Sequence, residues 1–244
     1  MNYKIVLQGV PVDSNRGAFG WSTVVLLFGE KTILFDTGSY GDRKNLLLSL
    51  KNLGVKIEEI DIVFISHLHF DHCLNMELFE SAKILVPKRE LEYVLSGEYK
   101  NCLDPYVPLT VVKNFLTKFH LVGNNEEIIK GIKTISLPGH TPGNTGLLFE
   151  SKRLILTGDA LKNARDFINN FPPPSFYSKV EALRSYEIIK RKANLIIPGH
   201  DRPFKIEGKR LKYIGNKDDI TIKSFCNPGE EVIKSNYCRL IKLY

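Results

Sequence analysis

Five of the chain's six histidines fall in three short motifs, and each motif directly follows an apolar, strand-like run. His67-Leu68-His69-Phe70-Asp71-His72 comes after Ile60 to Ile65, Pro138-Gly139-His140 after Ile132 to Leu137, and Pro198-Gly199-His200 after Leu195 to Ile197. Gly158-Asp159 adds a carboxylate after a fourth run, Arg153 to Leu156. Imidazole and carboxylate are ligands that zinc takes alongside thiolate, and a catalytic ion needs about three of them with a position left for water. Four such side chains within six residues point in different directions from a compact loop, so two adjacent ions are expected rather than one. Taken singly, the residues say less. Asp159 also suits a helix N-cap, His140 or His200 alone reads as an ordinary histidine, and His120 belongs to no motif.

Periodicity supplies the frame. Strand-like runs cover residues 4–9, 22–28 and 32–36, and Leu46, Leu47, Leu50 and Leu53 recur at helical spacing over residues 42–53, with Gly54 placed to stop the helix. The second half repeats the theme, with strands at Ile132 to Leu137, Thr145 to Phe149, Arg153 to Leu156 and Leu195 to Ile197 and an amphipathic helix over Val180 to Arg191. Two such halves predict an α/β fold of two mixed sheets packed together, helices on both outer faces, and the ligands at strand ends along one edge. Residues 88–118 alternate helix-like and loop-like stretches, and the Phe- and Pro-rich residues 163–178 read as an apolar, stiff loop. Both segments are expected to wall a pocket. Residues 206–244 read as a strand-rich appendage of a single domain spanning 1–244.

At 244 residues, 43% hydrophobic and 25% charged, the chain has the balance of one globular domain and not of a disordered one. Its net charge of +7 is scattered among acidic residues, which reads as a solvated basic surface and not a nucleic-acid platform. No run approaches the eighteen or so apolar residues of a membrane span, and the N-terminal run is too short for a signal segment, so the cytoplasm is expected. The four cysteines contain no C-x-x-C pair, which excludes a zinc ribbon or thioredoxin-like site. Cys73 reads as a packing residue. Cys226 and Cys238 flank the turn Pro228-Gly229 and could face each other across a hairpin as a disulfide.

In this order and spacing, H-x-H-x-D-H, G-H, G-D and G-H resemble the metallo-β-lactamase superfamily, over roughly Trp21 to Phe204. Phe35-Asp36-Thr37-Gly38 matches the turn that the family carries below its site. The resemblance implies an αβ/βα four-layer sandwich and a binuclear centre, with His67, His69 and His140 on the first metal, Asp71, His72 and His200 on the second, and Asp159 bridging both. Two Zn2+ ions are implied, although iron or manganese suits the same ligands. Asp36 itself reads as structural, its side chain holding the turn.

A water shared by two zinc ions has its pKa lowered towards neutrality, so hydrolysis by a metal-bridging hydroxide needs no activated serine or cysteine. Asp71 and Asp159 are the catalytic carboxylates of this reading, with Asp71 passing a proton. Leu137-Pro138-Gly139-His140-Thr141-Pro142-Gly143 resembles the acyl-homoserine lactonases and glyoxalase II hydrolases, which act on lactones and thioesters. Two positions depart from the lactonases. Lys162 stands where they usually carry a tyrosine, and Asn144 where another histidine is common. Pro198 to Phe204 is similar to the metallo-β-lactamase domain-containing proteins, some of which are linked to RNA cleavage. The expected substrate is a small ester, lactone or thioester. A phosphodiesterase or ribonuclease of the same fold is one alternative, and a non-catalytic, metal-free binding protein is an alternative of another class. Lys162 and Arg165 are candidates to hold a substrate carboxylate or phosphate, and Phe176 and Tyr177 to line the pocket. The expected partner is a small molecule. Nucleic acid is not favoured, no membrane is expected, and a homodimer is left open.

Overall fold

The computed structural model describes residues 2–208, 210–215, 220–223 and 232–235. Two large sheets form, and in each the strands lie side by side in chain order. The first sheet contains β1 (Asn2–Leu7), β2 (Val24–Phe28), β3 (Ile33–Phe35), β4 (Ile62–Phe64), β5 (Lys83–Pro87) and β6 (Phe119–Val122). Its first two pairings are antiparallel and the rest parallel. The second contains β7 (Glu127–Ile129), β8 (Ile132–Ser136), β9 (Thr145–Phe149), β10 (Leu154–Leu156), β11 (Leu195–Ile197), β12 (Phe204–Glu207) and β13 (Arg210–Tyr213), antiparallel except for the parallel pair β10 and β11. Further along, Ile220–Lys223 and Val232–Ser235 pair antiparallel with each other.

Successive side chains of a strand point to opposite faces, and the apolar runs use both. Val25, Leu27, Ile33, Phe35 and Phe64 of the first sheet share one buried cluster with Ile132, Leu147, Phe149, Leu154 and Leu156 of the second, so the sheets pack face to face. On the far side of the first sheet, Val24, Leu26, Leu34 and Val63 meet Leu46 and Leu50 of the helix Arg43–Asn52 and Leu91 and Val94 of the helix Lys88–Leu95. On the far side of the second, Ile135, Leu148, Ile155 and Ile196 meet Phe167, Tyr186 and Ile189. The result is the expected four-layer sandwich of helix, sheet, sheet and helix. Gly54, left-handed at φ +71°, follows the first helix as its position in sequence predicts. The helix Lys179–Lys192 starts at Ser178, whose side chain accepts from the backbone N–H of Glu181, and it ends in Lys190, Arg191 and Lys192, which suit the negative end of the helix dipole. Among the described residues, no helix is long and apolar enough to cross a membrane.

Two expectations are corrected. Residues 163–178 are not loop throughout: Asn163 caps a short helix, Ala164–Ile168, by accepting from the Asp166 N–H. The helix forms because it buries Phe167 against Tyr186, with ring centroids 4.9 Å apart. Residues 206–213 do not begin an appendage, since β12 and β13 continue the second sheet; Tyr213 hydrogen-bonds Asp201 and its ring sits 6.4 Å from that of Phe204. Cys226 and Cys238 lie outside the described residues.

Candidate metal centre

The four motifs occupy the C-terminal ends of β4, β8, β10 and β11, so two come from neighbouring parallel strands and all reach one edge of the sandwich. Glycine makes the approach possible. Gly158 adopts φ +52°, and a Cβ there would stand 2.6 Å from the Ser66 hydroxyl oxygen; at Gly143 it would stand 2.1 Å from the Glu90 nitrogen. The convergent side chains form three groups whose donor atoms lie within 4.8 Å of one another: His67, His69 and His140; His67, His72 and Asp159; and Asp71, His72 and His200. His140 Nε2 faces His69 Nδ1 at 3.0 Å. Asp159 divides its oxygens. Oδ2 lies 3.4 Å from His140 Nε2, while Oδ1 lies 3.2 Å from both His72 Nε2 and His200 Nε2. Asp71 Oδ2 is 3.3 Å from His200 Nε2. Ligands bonded tetrahedrally to one zinc at about 2.0–2.2 Å stand roughly 3.3–3.5 Å from each other, close to these spacings.

Outward contacts fix which nitrogen of each ring carries the proton. His72 Nδ1 donates to Asp36 Oδ2 at 2.7 Å, and His69 Nε2 donates to Asp104 Oδ2 at 2.8 Å. His140 Nδ1 donates to the Pro174 carbonyl at 2.5 Å. The Ser66 hydroxyl donates to Asp36 at 2.8 Å and so receives the N–H of His67 Nδ1 at 3.0 Å. Four rings are thereby left with an inward lone pair, the form that binds a cation. Among the described residues, His67 Nε2, His72 Nε2, His200 Nε2 and Asp159 Oδ1 are buried with no hydrogen-bond partner. Such orphaned acceptors are costly unless a further group satisfies them, and a pair of divalent cations fits this donor set.

Electrostatics divide the site. Burial, helped by the neighbouring imidazoles His72 and His69, holds His67 well below the usual histidine range. Burial likewise pushes His140 down to about 3. Burial also acts to lower His72 and His200, but the carboxylates outweigh it: Asp159, Asp36 and Asp71 raise His72 well above its ordinary value, and Asp159 raises His200. Burial alone would raise Asp159, yet His200, Lys162 and His72 hold it well below the carboxylate range. Burial therefore keeps His67 and His140 neutral on one side of the site, and the other side concentrates negative charge that calls for a cation.

Residues 16–200 match the metallo-beta-lactamase superfamily. The chain belongs to that superfamily. Among its relatives, an N-acyl homoserine lactonase from Bacillus sp is 29% identical over 160 residues, covering 62% of this chain and 60% of the lactonase. This chain thus spans about three fifths of the length of the lactonases it matches. Metallo-beta-lactamase domain-containing protein 1 from Xenopus laevis is 29% identical over 208 residues, or 83% of this chain and 80% of the relative. Among solved structures, a putative metallo-beta-lactamase from Thermotoga maritima superposes with a TM-score of 0.67 at 22% identity, covering 84% of this chain and 99% of that one, which speaks for the fold.

Within this superfamily member the walls of the site come from the two expected segments. The Tyr106 ring packs 5.8 Å from His69 and 5.6 Å from Phe176, and the Phe176 ring stands 5.5 Å from both His69 and His140. Backbone bonds tether each wall to a ligand loop: Phe70 N–H donates to Tyr106 O, Phe176 N–H to His140 O and Ser178 N–H to Gly139 O, each at 3.0 Å. Lys162 reaches the donors, its Nζ 2.5 Å from Asp159 Oδ2. Tyr177 and Arg165 are exposed, Tyr177 with the Arg89 guanidinium 6.0 Å from its ring.

Asp36 does more than hold a turn. Its carboxylate reaches the neighbouring strand end, accepting from Ser66 N at 2.7 Å and from His72, while its own backbone takes a left-handed φ of 57°. Asp104 and Glu90 were not found by sequence reasoning. Glu90 is fully buried and accepts from Leu68 N, Thr141 Oγ1 and Gly143 N, tying the His67–His69 loop to the His140 loop. In sequence it looks like an ordinary first-turn helix acid, and Asp104 before Pro105 looks like a turn. The only available signal was that residues 88–118 were expected near the pocket.

Proposed function

We infer that this chain is a binuclear metal-dependent hydrolase acting on a small ester, lactone or thioester. One observation carries the reading: Asp159 turns one oxygen to His140 and the other to His72 and His200, as a carboxylate shared by two cations must. His67, His69 and His140 would hold one cation and Asp71, His72 and His200 the other, with Asp159 available to both. Five imidazoles and two carboxylates suit zinc. When bound, such cations would supply Lewis-acid chemistry, polarising a scissile carbonyl and lowering the pKa of water towards neutrality.

The chain's own groups do the rest. Asp104, Asp36 and Ser66 keep the imidazoles oriented. Burial would raise Asp71, but His72 and His200 hold it below the carboxylate range, so Oδ2 stays ionised until it takes a proton from the attacking water and returns it to the leaving group. Tyr106 and Phe176 exclude water and offer an apolar face to an acyl group. The lactonases among the relatives support the ester or lactone class. A small-molecule partner and a cytoplasmic setting belong to the same reading.

The test combines elemental analysis of protein purified in zinc with a panel of lactones, thioesters, β-lactams and bis-(p-nitrophenyl) phosphate. About two metals per chain and turnover of a lactone or thioester are expected. Turnover of the phosphodiester alone moves the chain to the nuclease alternative. Less than about one metal per chain returns it to the non-catalytic class.

A further inference from the structure

The helix Lys88–Leu95 carries two buried polar side chains three residues apart, and so on one face. Glu90 ties the two histidine loops together, and Tyr93 reaches Asp104. Tyr93 is fully buried in the core between the first sheet and its helices. Its hydroxyl donates to Asp104 Oδ2 at 3.0 Å, and that same oxygen accepts from His69 Nε2 at 2.8 Å. The other oxygen, Oδ1, accepts from the Tyr106 N–H at 3.0 Å. Asp104 is itself buried, so three donors from separate parts of the chain meet one carboxylate away from bulk water. A phenylalanine would fill the place of Tyr93 without a polar atom. A buried hydroxyl is costly unless it is paired, so this one needs an acceptor. Its other neighbour is the Cys102 thiol, a weak partner, and the carboxylate is much the stronger acceptor. Burial, reinforced by Asp104, pushes the Tyr93 phenol up, so it keeps the proton it donates.

We propose that Tyr93 is a positioning residue for the metal centre, its hydroxyl fixing the carboxylate that aims His69. The proposal rests on the metal-dependent hydrolase reading. A carboxylate held at one oxygen still turns about its Cβ–Cγ bond. The Tyr106 N–H and the Tyr93 hydroxyl grip opposite oxygens, so the Asp104 carboxylate cannot turn without breaking one of them. His69 Nε2 then always finds its acceptor in the same place, and Nδ1 keeps its aim at His140 and the metal position. Without the hydroxyl, the Tyr106 N–H is the only hold besides His69 itself. The imidazole gains freedom that a metal has to take away on binding, and affinity falls at the cluster of His67, His69 and His140. Tyr93 touches no member of that cluster and acts through Asp104 alone.

The test compares the full chain as wild type, Tyr93→Phe, Asp104→Ala and the double variant. Zinc affinity is read by competition with a chromophoric chelator, and the melting temperature is read on metal-stripped protein. Tyr93→Phe is expected to weaken one zinc equivalent by about three- to tenfold, less than the loss of a group that touches the ligand itself, and to leave the other within about twofold. Losing a buried hydroxyl lowers the melting temperature whatever its role, so melting alone does not decide. The double variant does. On the Asp104→Ala background, Tyr93→Phe is expected to change zinc affinity by less than about twofold and to raise the melting temperature, because the hydroxyl has already lost its acceptor. A residue that merely packs would add its full effect there. Unchanged zinc affinity in Tyr93→Phe, equal weakening of both equivalents, or additive losses in the double variant each overturn the proposal. Less than about one zinc per chain in wild type overturns it together with the hydrolase reading, whereas two equivalents that are indifferent to Tyr93 overturn this proposal alone.

Discussion

His67, His69 and His140 make a cluster with no carboxylate of its own, whereas His72 and His200 share theirs with Asp71. Their supports differ as well. The first cluster leans on the segment after β5, through Glu90 and Asp104, and on the Pro174 carbonyl. The second leans on the turn after β3, where Asp36 holds His72 and Thr37 donates, from both N and Oγ1, to the His72 carbonyl. Asp159 is the carboxylate placed between the two, and Asp36 also reaches the first through Ser66 and His67 Nδ1. An all-imidazole site depends on its rings staying neutral, and burial favours that at His67 and His140; a site with carboxylates attracts any hard cation, so it should be the less selective of the two. Manganese is expected to enter the second cluster first.

Removing the shared carboxylate breaks the comparison outright and gives the largest effect. Asp159→Asn keeps the shape but offers one weak oxygen and an NH2 group that cannot coordinate. Turnover should fall by about 100-fold or more, with one metal lost per chain, while the untouched core keeps the melting temperature within a few degrees, about the shift of 1–2 kcal/mol. Wild-type turnover with a full metal complement would reduce Asp159 to a cap.

Next come the orienting carboxylates, which should separate the clusters. Asp104→Asn, which touches His69 alone, is expected to weaken one metal equivalent by about 10–100-fold, as read by competition with a chelator, whereas Asp36→Asn, which holds His72 directly and His67 through Ser66, should weaken both. If Asp104→Asn weakens both equivalents equally, the clusters are not independently supported.

Glu90 supports the first cluster only. Its three donors are two backbone N–H groups and a hydroxyl, so in Glu90→Gln the new NH2 faces donors and leaves buried groups unpaired. A stability loss of about 1–3 kcal/mol is expected in denaturant unfolding. A neutral result would mean that burial, which pushes Glu90 upward, already keeps it protonated.

The smallest effect is the pH dependence of metal-stripped protein. His140 titrates near 3 when folded against an ordinary 6.5, so the unfolded chain takes up the proton first and stability is lost as pH falls from 6.5 towards 3. His72 has the opposite sign: its raised folded value gives stability below 6.5 that is lost as pH rises through that folded value. Between about pH 6.5 and 4.5, His140→Gln should therefore lose less melting temperature than wild type, and His72→Gln more. Identical slopes would show that the two clusters share one electrostatic environment.

The sandwich and the convergent side chains were legible because their signals are local. Apolar runs have a period, and Ile62-Val63-Phe64 leads straight into His67. Supports such as Asp104 and Glu90 were not, because each is a single acid that acts on a residue 35 or 22 positions away, and its meaning exists only after folding. Asp36 shows the intermediate case: its turn was visible, but its partner His72, 36 positions on, was not. The helix Ala164–Ile168 was hidden by the proline run that follows it and by the apolar residues that bury it.

The tethers from the walls to His69 and His140 carry a consequence for measurement. Asp104, Tyr106, Pro174 and Phe176 touch the same imidazoles whose other faces would meet the proposed cations. A compound that seats against the walls only when those rings are ordered is thermodynamically linked to metal retention, and linkage is reciprocal: if the cations tighten the compound, the compound tightens the cations by the same factor. The equilibrium at which a chelator strips the protein then becomes a binding assay, able to rank compounds that are never turned over and so to find the acid half of a substrate before the whole is known.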